Sequence, residues 1–181
     1  MLDPRETATP TSQSRSVHDG QTTDPAPTTL RPSVAPTPVK PSTTGDPGDA
    51  AAERLGQQII TLTNTERIKN GCAPVSADPK LQAAAKAQSI QMAARNYYGH
   101  DIPDQPETGE RIKSAGYNWI HWSQGIYKGP RDAETAMEGW MKTPENRAAI
   151  LNCSYRHIGV SVNLASTGPW WTQIFAAPTN Q

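Results

Sequence analysis

Apolar positions recur with two different periods along this chain, and the change of period divides it. Leu55, Ile59 and Leu62 fall at helical spacing and Gly71 supplies a stop, which predicts a helix from about Ala51 to Asn70. Asp78-Pro79 reads as an N-cap followed by proline in the first turn, where the missing N–H costs nothing. The helix opened there runs to about Asn96, with Leu81, Ala84, Ala85, Gln88 and Met92 along one face. Residues 101–107, with Pro103 and Pro106, form a loop, and a short helix follows from about Thr108 to Ala115, closing at Gly116. Asp132 caps a further helix whose buried stripe is Ala133, Ala136, Met137 and Trp140. Thr143-Pro144 breaks it, and a second short helix ends in Ile150 and Leu151.

Later positions alternate with period two. Tyr117 to Tyr127 is aromatic-rich and extended, with Gly125 as a candidate bulge. Ile158, Val160 and Val162 alternate with His157, Gly159 and Ser161, the signal of a strand with one buried face. Thr167-Gly168-Pro169 supplies a turn and Trp170 to Phe175 the partner strand, giving a hairpin. Helices early and strands late predict an α+β domain.

Composition narrows where that domain lies. Residues 1–50 hold nine of the seventeen prolines and none of the eleven aromatic residues. Such a segment cannot bury enough apolar surface to offset the roughly 1–2 kcal/mol per residue that backbone ordering costs. We therefore expect a disordered Pro/Ser/Thr-rich tail or stalk over 1–50 and a domain over 55–178. The formal net charge is +0 and the basic residues form no stripe, which argues against nucleic acid as a partner. No apolar run reaches the ~20 residues of a membrane span, and the basic-then-apolar layout of a leader is missing, so a leader or anchor is expected to be absent from this chain. The two cysteines, Cys72 and Cys153, lie far apart without Cys-x-x-Cys spacing. Either they form a disulfide, which would place the protein outside the cell or on its surface, or they are two separate buried thiols.

The run Gly139-Trp140-Met141-Lys142-Thr143-Pro144-Glu145-Asn146-Arg147 through Ile150-Leu151-Asn152 resembles the signature of bacterial CAP domains, the SCP-like, cysteine-rich secretory, antigen 5 and pathogenesis-related group. Glu145 and Asn146 stand where that family commonly has Gly and His. Three further places match it: Asn64 with Arg67, the aromatic-x-x-His ending Tyr97 to His100, and Trp170-Trp171-Thr172-Gln173-Ile174-Phe175. The resemblance extends from about residue 58 to 176. It implies a three-layer α-β-α sandwich with a small antiparallel sheet; Asn64 and Arg67 are read as structural, bonded to neighbouring loops.

Many members of the family carry a cleft with two histidines and two acidic residues, which in some binds zinc. Carried over residue by residue, His100 matches one histidine, and Ser123-Gln124-Gly125-Ile126 aligns with Gly-Glu-Asn-Ile, so the acid has become Gln124. Trp170 stands where eukaryotic members have a histidine, and Asn146 where bacterial ones do. Zinc is normally held by three or four imidazole, thiolate or carboxylate groups, so one imidazole and one amide predict weak binding or none, and no cofactor is expected. Glu145 beside Pro144 reads first as a partner for the helix dipole. His121 reads either as a cleft residue or as an ordinary strand histidine, His157 as structural, and His18 falls in the tail. Ser123 lacks the Gly-x-Ser-x-Gly elbow of a serine nucleophile.

The expected function is a secreted or surface-tethered, non-catalytic domain binding an extracellular or cell-envelope ligand, whether lipid, glycan or peptide. The expected groove is aromatic-lined, built from Tyr97, Tyr98, Trp119, Trp122 and Trp170 near His100, Gln124, Ser123, His121, Glu145 and Asn146. Trp140 and Trp171 are read as core. Two alternatives are a metal-dependent or serine hydrolase using His100 with Gln124 or Glu145, and a purely structural module of the cell envelope.

Overall fold

The structure, a computed structural model, describes residues 47–179. The expected stalk lies outside them, apart from Pro47–Ala50, which form the first turn of helix α1 (Pro47–Lys69), with Asp49 placed favourably at its positive end. The remaining elements are β1 (Ser76–Ala77), α2 (Pro79–Arg95), α3 (Thr108–Ser114), β2 (Trp119–Lys128), α4 (Ala133–Lys142), α5 (Pro144–Ile150), β3 (His157–Asn163) and β4 (Trp170–Pro178).

Local chemistry sets the helix starts as expected. Asp78 accepts from the backbone N–H of Lys80 and Leu81, and Asp132 from that of Thr135. The strands form one sheet in the order β1-β3-β4-β2. β3 and β2 flank β4 and run antiparallel to it, while the two-residue β1 pairs parallel with β3. The sheet is therefore mixed rather than antiparallel throughout, because β1 follows the turn out of α1 and joins the far edge beside β3.

Alternation along β4 divides the core into two faces. Trp171 and Phe175 join Ile59 of α1, Ala136, Met137 and Trp140 of α4, and Ile150 of α5 on one face. Ile174 and Ala176 meet Leu81, Ala84 and Ala85 of α2 and Ile112 of α3 on the other. The result is an α+β fold of three layers, with the sheet in the middle. Gly159 lets α2 come close, since a Cβ there would lie 2.1 Å from the Leu81 carbonyl carbon.

A disulfide joins Cys72 and Cys153 across 81 residues of sequence. The fully buried Arg67 holds the same junction. Its guanidinium donates to the carbonyls of Ala73 at 3.0 Å, Ile150 at 2.9 Å, Asn152 at 2.8 Å and Tyr155 at 3.1 Å. Asn64 adds a reciprocal pair with the backbone N–H and C=O of Val75. Both motif residues thus bind loops, tying the end of α1 to the segments that flank the disulfide.

Candidate functional site

Strand β2 is an edge of the sheet, and the loops on either side of its open edge make a cleft of about 440 Å³. Tyr98, Gly99 and His100, just beyond α2, form one wall; Thr143, Glu145 and Asn146, at the α4–α5 junction, form the other; Ser123, Gln124 and Ile126 form the floor. Six of these residues belong to the group expected from the sequence: Tyr98, His100, Ser123, Gln124, Glu145 and Asn146.

Each wall is pinned from behind. Gln88, fully buried on α2, donates through Nε2 to the carbonyls of Gly99 at 2.7 Å and His100 at 3.2 Å. The Tyr98 hydroxyl donates to the Ile126 carbonyl at 3.1 Å, and Trp140 Nε1 donates to that same oxygen at 3.1 Å. Burial, with Tyr127 nearby, pushes the Tyr98 phenol above its ordinary pKa, so it stays a neutral donor.

At the floor, His100 Nδ1 and Gln124 Oε1 are 2.8 Å apart. Gln124 is 7 % exposed and its Nε2 has no hydrogen-bond partner. Gly125 pairs with Gln173 across the sheet, in register and with no bulge; the irregularity of β2 lies between Trp119 and His121 instead. The need for glycine at this position comes from crowding. A Cβ on Gly125 would sit 2.8 Å from Gln173 Nε2 and 2.9 Å from Asn146 Oδ1. Gln173 is fully buried with both of its side-chain polar atoms unpartnered. Two carboxamides, those of Gln173 and Asn146, therefore crowd a bare backbone position, on the face of the sheet opposite the Gln124 side chain. Gln88 and Gln173 are absent from the sequence-derived set; the signal for Gln173 is a glutamine inside the apolar run Trp170 to Phe175.

The aromatic groove is not assembled as the sequence predicts, since Tyr98 alone of its proposed rings lines the cleft. Trp119 and Trp122 pack edge to face, 6.1 Å apart, beside Gly109 of α3 and against the α2 core. Trp170 is fully buried with Met92, Ile102 and Ile126, and Tyr97 is exposed outside the cleft. His121 also lies away from it, bonded through Nε2 to Ser154 Oγ at 2.7 Å and packed on Tyr155. The cause is pairing geometry: adjacent strand residues face opposite sides, and α3 covers the face that carries Trp122.

Ser123 lines the same cleft, but the same alternation turns its side chain away from the Gln124 amide that holds His100. Ser123 pairs with Phe175 and Gln124 with Ile174, so the serine and the amide that holds His100 lie on opposite faces. The donor set also fails the test for a metal. Gln124 spends its oxygen on His100 and offers otherwise only an N–H donor, which no cation accepts. Among the described residues no three His, Cys, Asp or Glu side chains gather where one ion could be held. The zinc that some related clefts bind does not fit the residues of this one.

Comparison with known proteins places this geometry. The YkwD protein of Bacillus subtilis is 31 % identical over 143 residues, covering 79 % of this chain and 55 % of its own length. Among solved structures, an extracellular SCP-domain protein of Bacillus anthracis superposes with a TM-score of 0.66 at 25 % identity, covering 70 % of this chain and 41 % of that one. An outer surface protein of Borrelia burgdorferi, with the same TM-score of 0.66 but 14 % identity over 70 % of this chain and 95 % of its own, shares the fold. This chain spans about half the length of YkwD and less than half of the anthracis protein. The description of the cysteine-rich secretory protein family, CAP, matches residues 60–175, and the chain belongs to that family.

Proposed function

We propose that this chain is a secreted or surface-tethered, non-catalytic binding domain whose cleft takes an uncharged ligand of the cell exterior or envelope. The observation that carries the reading is the floor at Gln124, where a buried amide holds His100 through its oxygen and keeps its nitrogen without an acceptor. The floor offers hydrogen bonds without charge, and among the lining residues of the cleft Glu145 is the one carboxylate and none is a lysine or arginine. The disulfide supports an oxidising compartment, and the related protein of Bacillus anthracis is described as extracellular. The turning of the Ser123 side chain away from the Gln124 amide that holds His100 weighs against a serine hydrolase, and the donor set weighs against a metal-dependent one.

The test is shift mapping by NMR on the full chain, titrated separately with neutral oligosaccharides, lipid vesicles and peptides. We expect one class to perturb Tyr98–His100, Gln124 and Thr143–Asn146 together, with the ligand recovered unaltered. Perturbation confined to other surfaces would leave the structural-module reading in its place. Turnover of the ligand, abolished by His100→Ala, would replace the reading with a hydrolase.

A further inference from the structure

At the sheet edge opposite the cleft, we propose, β3 accepts a short extended peptide as an added strand, one that alternates apolar and basic side chains. The site is independent of the cleft beside β2. β1 pairs with β3 only at His157 and Ile158, and among the described residues no other strand follows β3 along that edge. The carbonyls of Arg156 and Ile158 accept from the N–H groups of Ser76 and Asp78, so the two-residue repeat turns the backbone of Val160 and Val162 outward next. Gly56 of α1 covers the first of these, since a Cβ there would lie 3.6 Å from the Val160 carbonyl oxygen. Beyond it the outward backbone of Val162 meets no strand, and an unpaired strand edge is a template for another chain.

A groove follows that edge. A hollow of about 240 Å³ lies over Ser161 to Leu164 and runs into a second of about 60 Å³ over Val160 to Val162, with α1 as one wall and α2 as the other. The α1 wall carries the exposed carboxylates of Asp49 and Glu53; the α2 wall carries Lys86 and, one turn on, Ile90. Ile90 is 42 % exposed and Leu164, at the far end, 39 %, so apolar surface faces solvent here. Neighbouring side chains of an added strand point to opposite sides, one toward α1 and the next toward α2. The acidic wall suits a lysine or arginine, while Ile90 and Leu164 suit an aliphatic side chain and Lys86 repels a second basic one. Closure at Gly56 limits the added strand to about four residues beside Val160 to Leu164.

The experiment titrates the full chain, by calorimetry and backbone NMR, with a capped peptide of about five residues that alternates leucine and lysine. We expect saturable binding that shifts Val160 to Leu164 and the facing turns of α1 and α2, with His100 and Gln124 unmoved. The same peptide N-methylated on the backbone nitrogens that would bond to β3 should bind at least about tenfold more weakly. With glutamate in place of lysine it should bind about threefold more weakly, and Glu53→Lys, at an exposed position of α1, should remove that preference. Equal affinity for the N-methylated peptide, or a lysine preference unmoved by Glu53→Lys, overturns the proposal. So does the absence of saturable binding, or shifts confined to other surfaces. A concentration-dependent dimer that joins through Val162 before peptide is added also overturns it, giving the edge to a second copy of the chain.

Discussion

His100 and Gln124 are joined through Nδ1 and Oε1 at 2.8 Å, across the gap between the end of α2 and the sheet edge. An amide oxygen only accepts, so the imidazole carries its proton on Nδ1, the less common tautomer, leaving Nε2 as an acceptor. Ring 15N shifts of the neutral His100 should report the Nδ1–H form. The Nε2–H form would mean that the Gln124 amide is turned, showing the cleft an oxygen instead of a nitrogen.

Arg67 and the disulfide hold one junction from two sides. Arg67→Met would strand four carbonyls that now share one guanidinium, and we expect a loss of at least about 3 kcal/mol in urea unfolding. Arg67→Lys should recover only part, because a compact ammonium lacks the fork that reaches all four. Opening Cys72–Cys153 should cost about 4.5 kcal/mol by the loop-entropy argument for its 81-residue separation. The two losses should be non-additive in a double-mutant cycle; strict additivity would show that they stabilise separate regions.

Glycine serves two different ends at 125 and 159. Gly159→Ala would drive a Cβ to 2.1 Å from the backbone of α2, which cannot yield without moving the helix, so a loss of about 3 kcal/mol or more is expected. Gly125→Ala meets side-chain atoms of Gln173 and Asn146 and no backbone among its nearest contacts, the closest being Gln173 Nε2 at 2.8 Å, Asn146 Oδ1 at 2.9 Å and Gln173 Cγ at 3.0 Å. It should cost about 1 kcal/mol while displacing both amides, changing their NMR signals. The reverse order of costs in thermal unfolding would contradict this assignment.

Tyr117 gives the domain an alkaline limit. Burial first, and then the charge of Asp78, push its phenol from 10.0 up to about 12, and its hydroxyl lies 2.7 Å from His157 Nδ1. Between those pH values the unfolded chain releases the proton and the native state keeps it, so stability falls as pH rises. The stabilisation is complete below the unfolded value and is lost through the native one. Tyr117→Phe should begin less stable but show a shallower decline over that window in urea titrations. Equal slopes would remove Tyr117 as the cause.

Much of this was legible in the residues because it was local. The Asp78 and Asp132 caps, the alternation of Ile158, Val160 and Val162, and the turn to Trp170 each announce an element within a few positions. β1 was not legible, since a two-residue strand has no period to read. Gly125 carried two sequence meanings, bulge or close approach, and only its register with Gln173 and the position of α5 choose between them. The groove tryptophans failed for a related reason. Whether Trp119 and Trp122 face a cleft depends on where α3 lies, which their own spacing does not encode. Gln88 looked like one more position on a buried helix face, yet it holds the loop that carries His100.

The central claim is that uncharged groups at Gln124 and Asn146 make this a hydrogen-bonding cleft and not an ion site. Calorimetry with zinc, on the full chain and on a Gln124→Glu, Asn146→His variant, tests it most directly. The account predicts no stoichiometric binding by the natural chain and at least about a hundredfold gain, some 2.7 kcal/mol, in the variant, whose added carboxylate and imidazole join His100. Micromolar or tighter stoichiometric binding by the natural chain would contradict it.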